Sequence, residues 1–129
     1  VALSDTLVKR IYWFLMIIII PVTVLNFDKW YTFVNFSMFI LVLTTAVFKF
    51  PLILKTYFMT FLIILIPFLL VNGILTGSFI EEPVVFYNNS ENLSIRLGTI
   101  PVEDVGYAFT MLLMSLILIK IMDRKNESI

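Results

Sequence analysis

Four long apolar runs dominate the sequence and restrict what the chain can fold into. A helix needs about 20 apolar residues to cross the hydrocarbon core of a bilayer, and each run is about that long. Charged residues make up only 14% of the chain and mean hydropathy is +1.03, whereas soluble domains carry roughly a quarter charged residues. We therefore predict an all-α membrane protein, one domain over residues 1–129, with about four transmembrane helices at about 9–27, 31–48, 51–75 and 101–122.

A polar segment, residues 76–100, separates the third and fourth runs and is too polar to cross a membrane. Loops of this length in compact proteins are usually functional, as lids or as walls of a site. Asn72 lies just before it and is either part of the helix-ending turn or an amide in a substrate pocket. The sequence thus predicts four helices and one extramembrane loop.

Polar residues also occur inside the second run. Their usual role within a membrane is to hydrogen-bond neighbouring helices rather than to do chemistry. We expect that role for Asn35, Ser37, Thr44 and Thr45.

The distribution of Lys and Arg predicts the orientation in the membrane. Four spans place the N-terminus, the second link and the C-terminus on one side, and cytoplasmic segments are enriched in Lys and Arg. That side holds seven of the nine basic residues, which are Lys9, Arg10, Lys49, Lys55, Lys120, Arg124 and Lys125. The other side holds Lys29 and Arg96. Both termini are therefore expected to be cytoplasmic.

The residue types present limit the possible chemistry. The chain has no cysteine and no histidine, which excludes disulfides, thiolate or imidazole metal sites and Ser-His or Cys-His nucleophiles, and we predict no metal site. No Gly-rich dinucleotide fingerprint is present, so no cofactor is recognisable. The net charge is zero and no basic run is dense enough to follow a phosphate backbone, so nucleic acid is not an expected partner. Membrane lipid is the expected surrounding, and carboxylates, hydroxyls, amides and aromatic rings remain for chemistry.

Two adjacent carboxylates, Glu103 and Asp104, lie at the start of the last apolar run. Pro101 suits the first helical position, so both acids fall in the first turn. A carboxylate at the edge of such a segment is costly unless it is paired, protonated or used in function. The alternative is that the pair only charges the N-terminus of a membrane helix at the water boundary.

The helical face that follows the carboxylates carries a small residue, an aromatic ring, a hydroxyl group and a polarisable thioether. Three, four, seven and eleven residues after Glu103 come Gly106, Tyr107, Thr110 and Met114, and Tyr107 also neighbours Asp104. An acid beside aromatic faces in a dry groove suits the protonation of an alkene, because π-faces and a second carboxylate stabilise the carbocation that forms. The alternative is that Tyr107 anchors the helix at the membrane interface.

Three blocks of sequence resemble the second half of the small membrane-integral lycopene cyclases. They are NGILTG at 72–77, PVVFYN at 83–88 and IRLGTIPVEDVGY at 95–107. The resemblance covers about 71–120, while the first two runs are similar to that family only in hydropathy. Family members carry a Pro-x-Glu-(Glu/Asp) motif associated with cyclase activity, which is present here at 101–104.

The resemblance implies a carotenoid cyclase that closes the ψ-end of lycopene into an ionone ring without net redox change. It implies Glu103 as the proton donor and Asp104 as its partner, or as the cation stabiliser and final base. Five weaker candidates would stabilise the cation or bind substrate, and one of them, Arg96, would hold a carboxylate. The five are Tyr107, Arg96, Asn72, Tyr87 and Asn88.

The motif is present once, whereas family members ordinarily have two, one in each half. The resemblance therefore implies half of a cyclase that needs a complementary half or subunit, in a bacterial or archaeal cell membrane. Two alternatives stay open. One is a C50-type cyclase or another membrane isoprenoid enzyme, and the other is a non-catalytic membrane assembly or transport subunit.

The charge distribution gives a first testable prediction. Reporter proteins fused after Lys125 and inserted between Ser90 and Leu93 should lie on opposite faces of the membrane, with the C-terminal reporter in the cytoplasm. Alkaline phosphatase and fluorescent-protein activities measure this directly. If both reporters lie in the cytoplasm, the arrangement with four spans is wrong.

Overall fold

The computed structural model describes residues 1–128 and contains four long helices, each long and apolar enough to cross a membrane. They are α1 (Asp5–Leu25), α2 (Trp30–Lys49), α3 (Pro51–Leu75) and α4 (Val102–Glu127). The predicted all-α membrane fold is thus confirmed, and α1 and α3 continue through their internal residues Pro21 and Pro67.

Two helix boundaries differ from those expected from hydropathy. The first helix begins at Asp5 rather than near residue 9, because Ser4 caps it by accepting a hydrogen bond from the Leu7 N–H at 3.2 Å. The last helix continues to Glu127, five residues past the apolar run, because its charged final turns extend beyond the span. Hydropathy marks the apolar part of a helix, not its polar ends.

The loop contains a short hairpin that the sequence analysis did not predict. Strands β1 (Arg96–Leu97) and β2 (Ile100–Pro101) pair antiparallel, with Arg96 opposite Pro101, and Gly98 has φ +65° in the turn. Pro101 therefore occupies the N-cap position of α4, just before its first helical residue, and makes no side-chain hydrogen bond to the helix. Both carboxylates still lie in the first turn of α4, as predicted.

Helix α2 is central and packs against both α1 and α4. The fully buried side chains of Leu43, Leu54 and Leu113 mark the core. The centre of the Phe109 ring lies 5.0 Å from the ring centres of Phe39, Tyr57 and Phe61. Gly106 brings α4 close to α2, since a Cβ there would lie 3.3 Å from the Phe36 ring. Close packing of this kind replaces the hydrophobic effect as the source of helix association in lipid.

The predicted hydrogen bonds between helices form in part. The Asn35 side chain contacts α4, where its Nδ2 donates to the Glu103 carbonyl at 2.9 Å, and Thr44 Oγ1 lies 3.1 Å from the Tyr12 hydroxyl of α1. Thr45 instead donates to the Leu41 carbonyl of its own helix. Within residues 1–128, Ser37 has no such bond to another helix.

Both termini lie at one end of the bundle. Lys55 Nζ is 3.0 Å from the Asp5 carboxylate, which joins the starts of α1 and α3. The Arg124 guanidinium lies 5.2 Å from the centre of the Phe50 ring, which joins the end of α4 to the link between α2 and α3. The arrangement agrees with four antiparallel spans.

Core packing gives a second prediction. Leu113→Ala should lower the free energy of unfolding by about 2–5 kcal/mol, because it leaves a cavity in a fully buried position. Leu118→Ala on the outer surface of the same helix is the control and should change it by less than about 0.5 kcal/mol. Unfolding in mixed micelles with increasing sodium dodecyl sulfate measures both, and equal losses would contradict this core.

Candidate functional site

Both predicted carboxylates are buried where α4 begins. Glu103 is 0% exposed and Asp104 is 4% exposed. Donors from α2, α3 and the loop surround them, although these segments are far apart in the sequence. Buried carboxylates require such donors, because an unsolvated charge would be very unfavourable.

Glu103 is held through one of its two oxygens. Its Oε1 accepts hydrogen bonds from the Thr32 hydroxyl at 2.6 Å and from the Leu93 N–H at 2.7 Å. Its Oε2 is buried and has no hydrogen-bond partner in the described part of the chain. Glu103 therefore has one anchored oxygen and one buried oxygen without a partner in the described residues.

Asp104 is held through both oxygens. The Tyr31 hydroxyl donates to Oδ1 and the Tyr87 hydroxyl donates to Oδ2. The Asn72 amide lies 3.4 Å from Oδ2 and adds a weaker contact. Asp104 thus has hydrogen-bond partners at both oxygens, whereas Glu103 has them at one.

Tyr87 lies in the loop and keeps its hydroxyl proton at ordinary pH. Burial, and then the hydrogen bond to Asp104, raises the pKa of this phenol above its ordinary value. The Arg96 guanidinium lies 5.6 Å from the centre of the Tyr87 ring, where a cation is attracted to the π-face. The ring is thus fixed while its hydroxyl donates to the acid.

The other predicted site residues differ in whether they contact the two acids. Asn72 lies in the helix-ending turn, where its carbonyl accepts from the Thr76 N–H, and its side-chain amide approaches Asp104; its role in a substrate pocket stays a prediction. Among residues 1–128, Arg96 bonds no carboxylate; its guanidinium donates to the Thr99 carbonyl and to Asn89 Oδ1. Asn88 accepts hydrogen bonds from Ser90 in a loop turn.

Tyr107 is 52% exposed and contributes no hydrogen bond to either acid within the described residues.

Sequence reasoning missed Tyr31 and Thr32. Both lie in the first turn of α2, more than 70 residues before the carboxylates. In the sequence, Tyr31 carries only the signal of an aromatic residue at the water boundary. Helical periodicity identifies neighbours on one helix, but it cannot show which face of another helix lies opposite.

Across residues 1–128, no group of three Asp or Glu side chains gathers closely enough to hold a metal ion.

A sequence model of the family described as "Lycopene cyclase" matches residues 28–122. The match includes α2, which resembled that family only in hydropathy, as well as α3, the loop and the span of α4. No curated protein and no solved structure shows a significant match. Because the family match covers well over half of the chain and includes both buried carboxylates, this protein belongs to the lycopene cyclase family.

Proposed function

We propose that the chain is one half of a carotenoid cyclase that converts the ψ-end of lycopene into an ionone ring by acid-initiated isomerisation. The observation that carries this proposal is the unequal hydrogen bonding of the two carboxyl groups. Asp104 accepts at both oxygens, whereas Oε2 of Glu103 has no partner. Two acids in different environments are the usual basis for separate acid and base roles.

In the proposed reaction, Glu103 transfers a proton from Oε2 to the terminal double bond. The π electrons of that bond form the new C–H bond and leave a tertiary cation. The neighbouring double bond attacks the cation and closes the ring, and loss of a ring proton to Asp104 forms the final double bond. One proton enters and one leaves, so the product is an isomer of the substrate, and exchange with water restores both acids.

The surroundings support these roles through electrostatics. A fixed negative charge on Asp104 stabilises the cation more strongly in a dry site than in water. The Thr32 hydroxyl and the Leu93 N–H fix Oε1, so the free oxygen of Glu103 has a defined position. The acids would lie near the outer membrane surface if both termini are cytoplasmic.

Substitution of Glu103 gives a third prediction. Glu103→Gln keeps the shape of the side chain and an oxygen for Thr32 and Leu93, but it removes the transferable proton. Ring formation per unit of inserted protein should fall by at least about 10³-fold, since general acid catalysis contributes about 10²–10⁴-fold and water does not reach the buried position of residue 103 to replace the acid. Pigment chromatography from lycopene-accumulating cells measures the product.

Two further variants define the result. Glu82→Gln changes an exposed acid in the loop and should leave cyclisation unchanged. Asp104→Asn should reduce it less than Glu103→Gln, because Asp104 stabilises charge and accepts the last proton. Equal losses would mean that the two carboxyl groups share one proton, and normal cyclisation by Glu103→Gln would remove Glu103 from the mechanism.

Completeness gives a fourth prediction. One Pro-x-Glu-(Glu/Asp) motif and four spans supply half of the expected groove, so the chain expressed alone should leave lycopene unchanged. Ring formation should appear when a complementary half is co-expressed. Full cyclisation by the chain alone, with no homodimer on native gels, would contradict the requirement for a second half. Use of C50 substrates in the same cells would distinguish the C50-type alternative.

A further inference from the structure

A partly open cavity of about 110 Å³ lies between α2 and α4. One face of each helix forms its walls, which include Asn35, Met38, Tyr107, Thr110, Met111 and Met114. The larger grooves elsewhere are more open; one lies along a single face of α3 and another between α3 and the C-terminal half of α4. This cavity is lined instead by the part of α4 that lies nearer the two acids.

The cavity lies next to the proposed proton donor. Tyr107 and Thr110 follow Glu103 on the same face of α4, four and seven residues later, so the cavity begins about 6 Å deeper along the helix axis. Asn35 connects the two places, because its Nδ2 donates to the Glu103 carbonyl while its side chain forms part of the cavity wall. A molecule in the cavity would therefore begin about one helical turn from Glu103, with Asn35 between the two places.

The cavity walls suit an apolar group on which positive charge develops. They present an apolar surface, and the Thr110 hydroxyl is already bonded to the Gly106 carbonyl at 2.8 Å. Three methionine thioethers and the Tyr107 ring are polarisable, and an aromatic face attracts a cation. Asn35 is 7% exposed, and its Oδ1 is a buried acceptor without a partner among residues 1–128.

We infer that this cavity binds the branched terminal isoprene unit of the acyclic carotenoid, an inference that rests on the proposed function. An apolar cavity of about 150 Å³ holds a benzene ring, so 110 Å³ fits a five-carbon branched end. Met38 and Met111 are 39% and 40% exposed, so the cavity opens sideways between them toward the bilayer. The rest of the polyene leaves through that opening into lipid.

Filling the cavity gives the fifth prediction. Met111→Phe and Met38→Phe place rigid rings on opposite walls and should each reduce ring formation at least about tenfold, mainly by raising the apparent KM for lycopene. Leu118→Phe on α4 and Leu41→Phe on α2 are matched controls, since both residues are more than half exposed on the outer surface. The controls should stay within about twofold of the unmodified protein.

The measurement is product per unit of inserted protein, in cells in which the unmodified chain cyclises with its complementary half. Insertion of each phenylalanine variant at the level of the unmodified chain separates blocking of the cavity from general damage to the helices. If both phenylalanine variants insert normally and cyclise at the original rate, the cavity inference is overturned. If the unmodified assembly forms no rings at all, the proposed function itself fails.

Discussion

The placement of two carboxyl groups at the edge of an apolar helix is the constraint on which the rest of this structure depends. Each acid must receive from protein the hydrogen bonds that water would otherwise provide, or it would be too costly to bury. The helices α2 and α3 and the polar loop each supply donors, which include Thr32, Asn72 and Tyr87. Their convergence explains why a small membrane bundle contains a loop of this length.

The same requirement separates the two acids chemically. Neighbouring residues on a helix point about 100° apart, so Glu103 and Asp104 meet different partners despite being adjacent. Glu103 faces α2 and the loop backbone, and Asp104 faces two phenol groups. Two adjacent acids that look equivalent in the sequence thus differ in their hydrogen bonds. Asp104 has partners at both oxygens, whereas one oxygen of Glu103 has none in the described residues, and this difference arises from the surroundings.

Sequence reasoning predicted the helices because apolar runs of bilayer length allow few other structures. It predicted Glu103 and Asp104 because acids are rare at such positions and because the motif resembled a known family. It predicted Tyr107 from spacing as the aromatic neighbour of the acids, whereas the phenols that donate to Asp104 come from Tyr31 and Tyr87. The rotation of α2 against α4 decides this, and it depends on packing around Gly106, which no single-helix pattern contains.

The start of α2 has a consequence for the order in which the protein becomes structured during synthesis. Lys29 provides no side-chain cap, and the first N–H groups of α2 bond to Glu91 instead: Trp30 donates to its carboxylate, and Tyr31 and Thr32 donate to its carbonyl. Glu91 leaves the ribosome 61 residues after Trp30. At about 5–20 residues synthesised per second, several seconds pass between the synthesis of the first turn of α2 and that of the residue that accepts its hydrogen bonds. The acid site can therefore form only after the third helix has been synthesised.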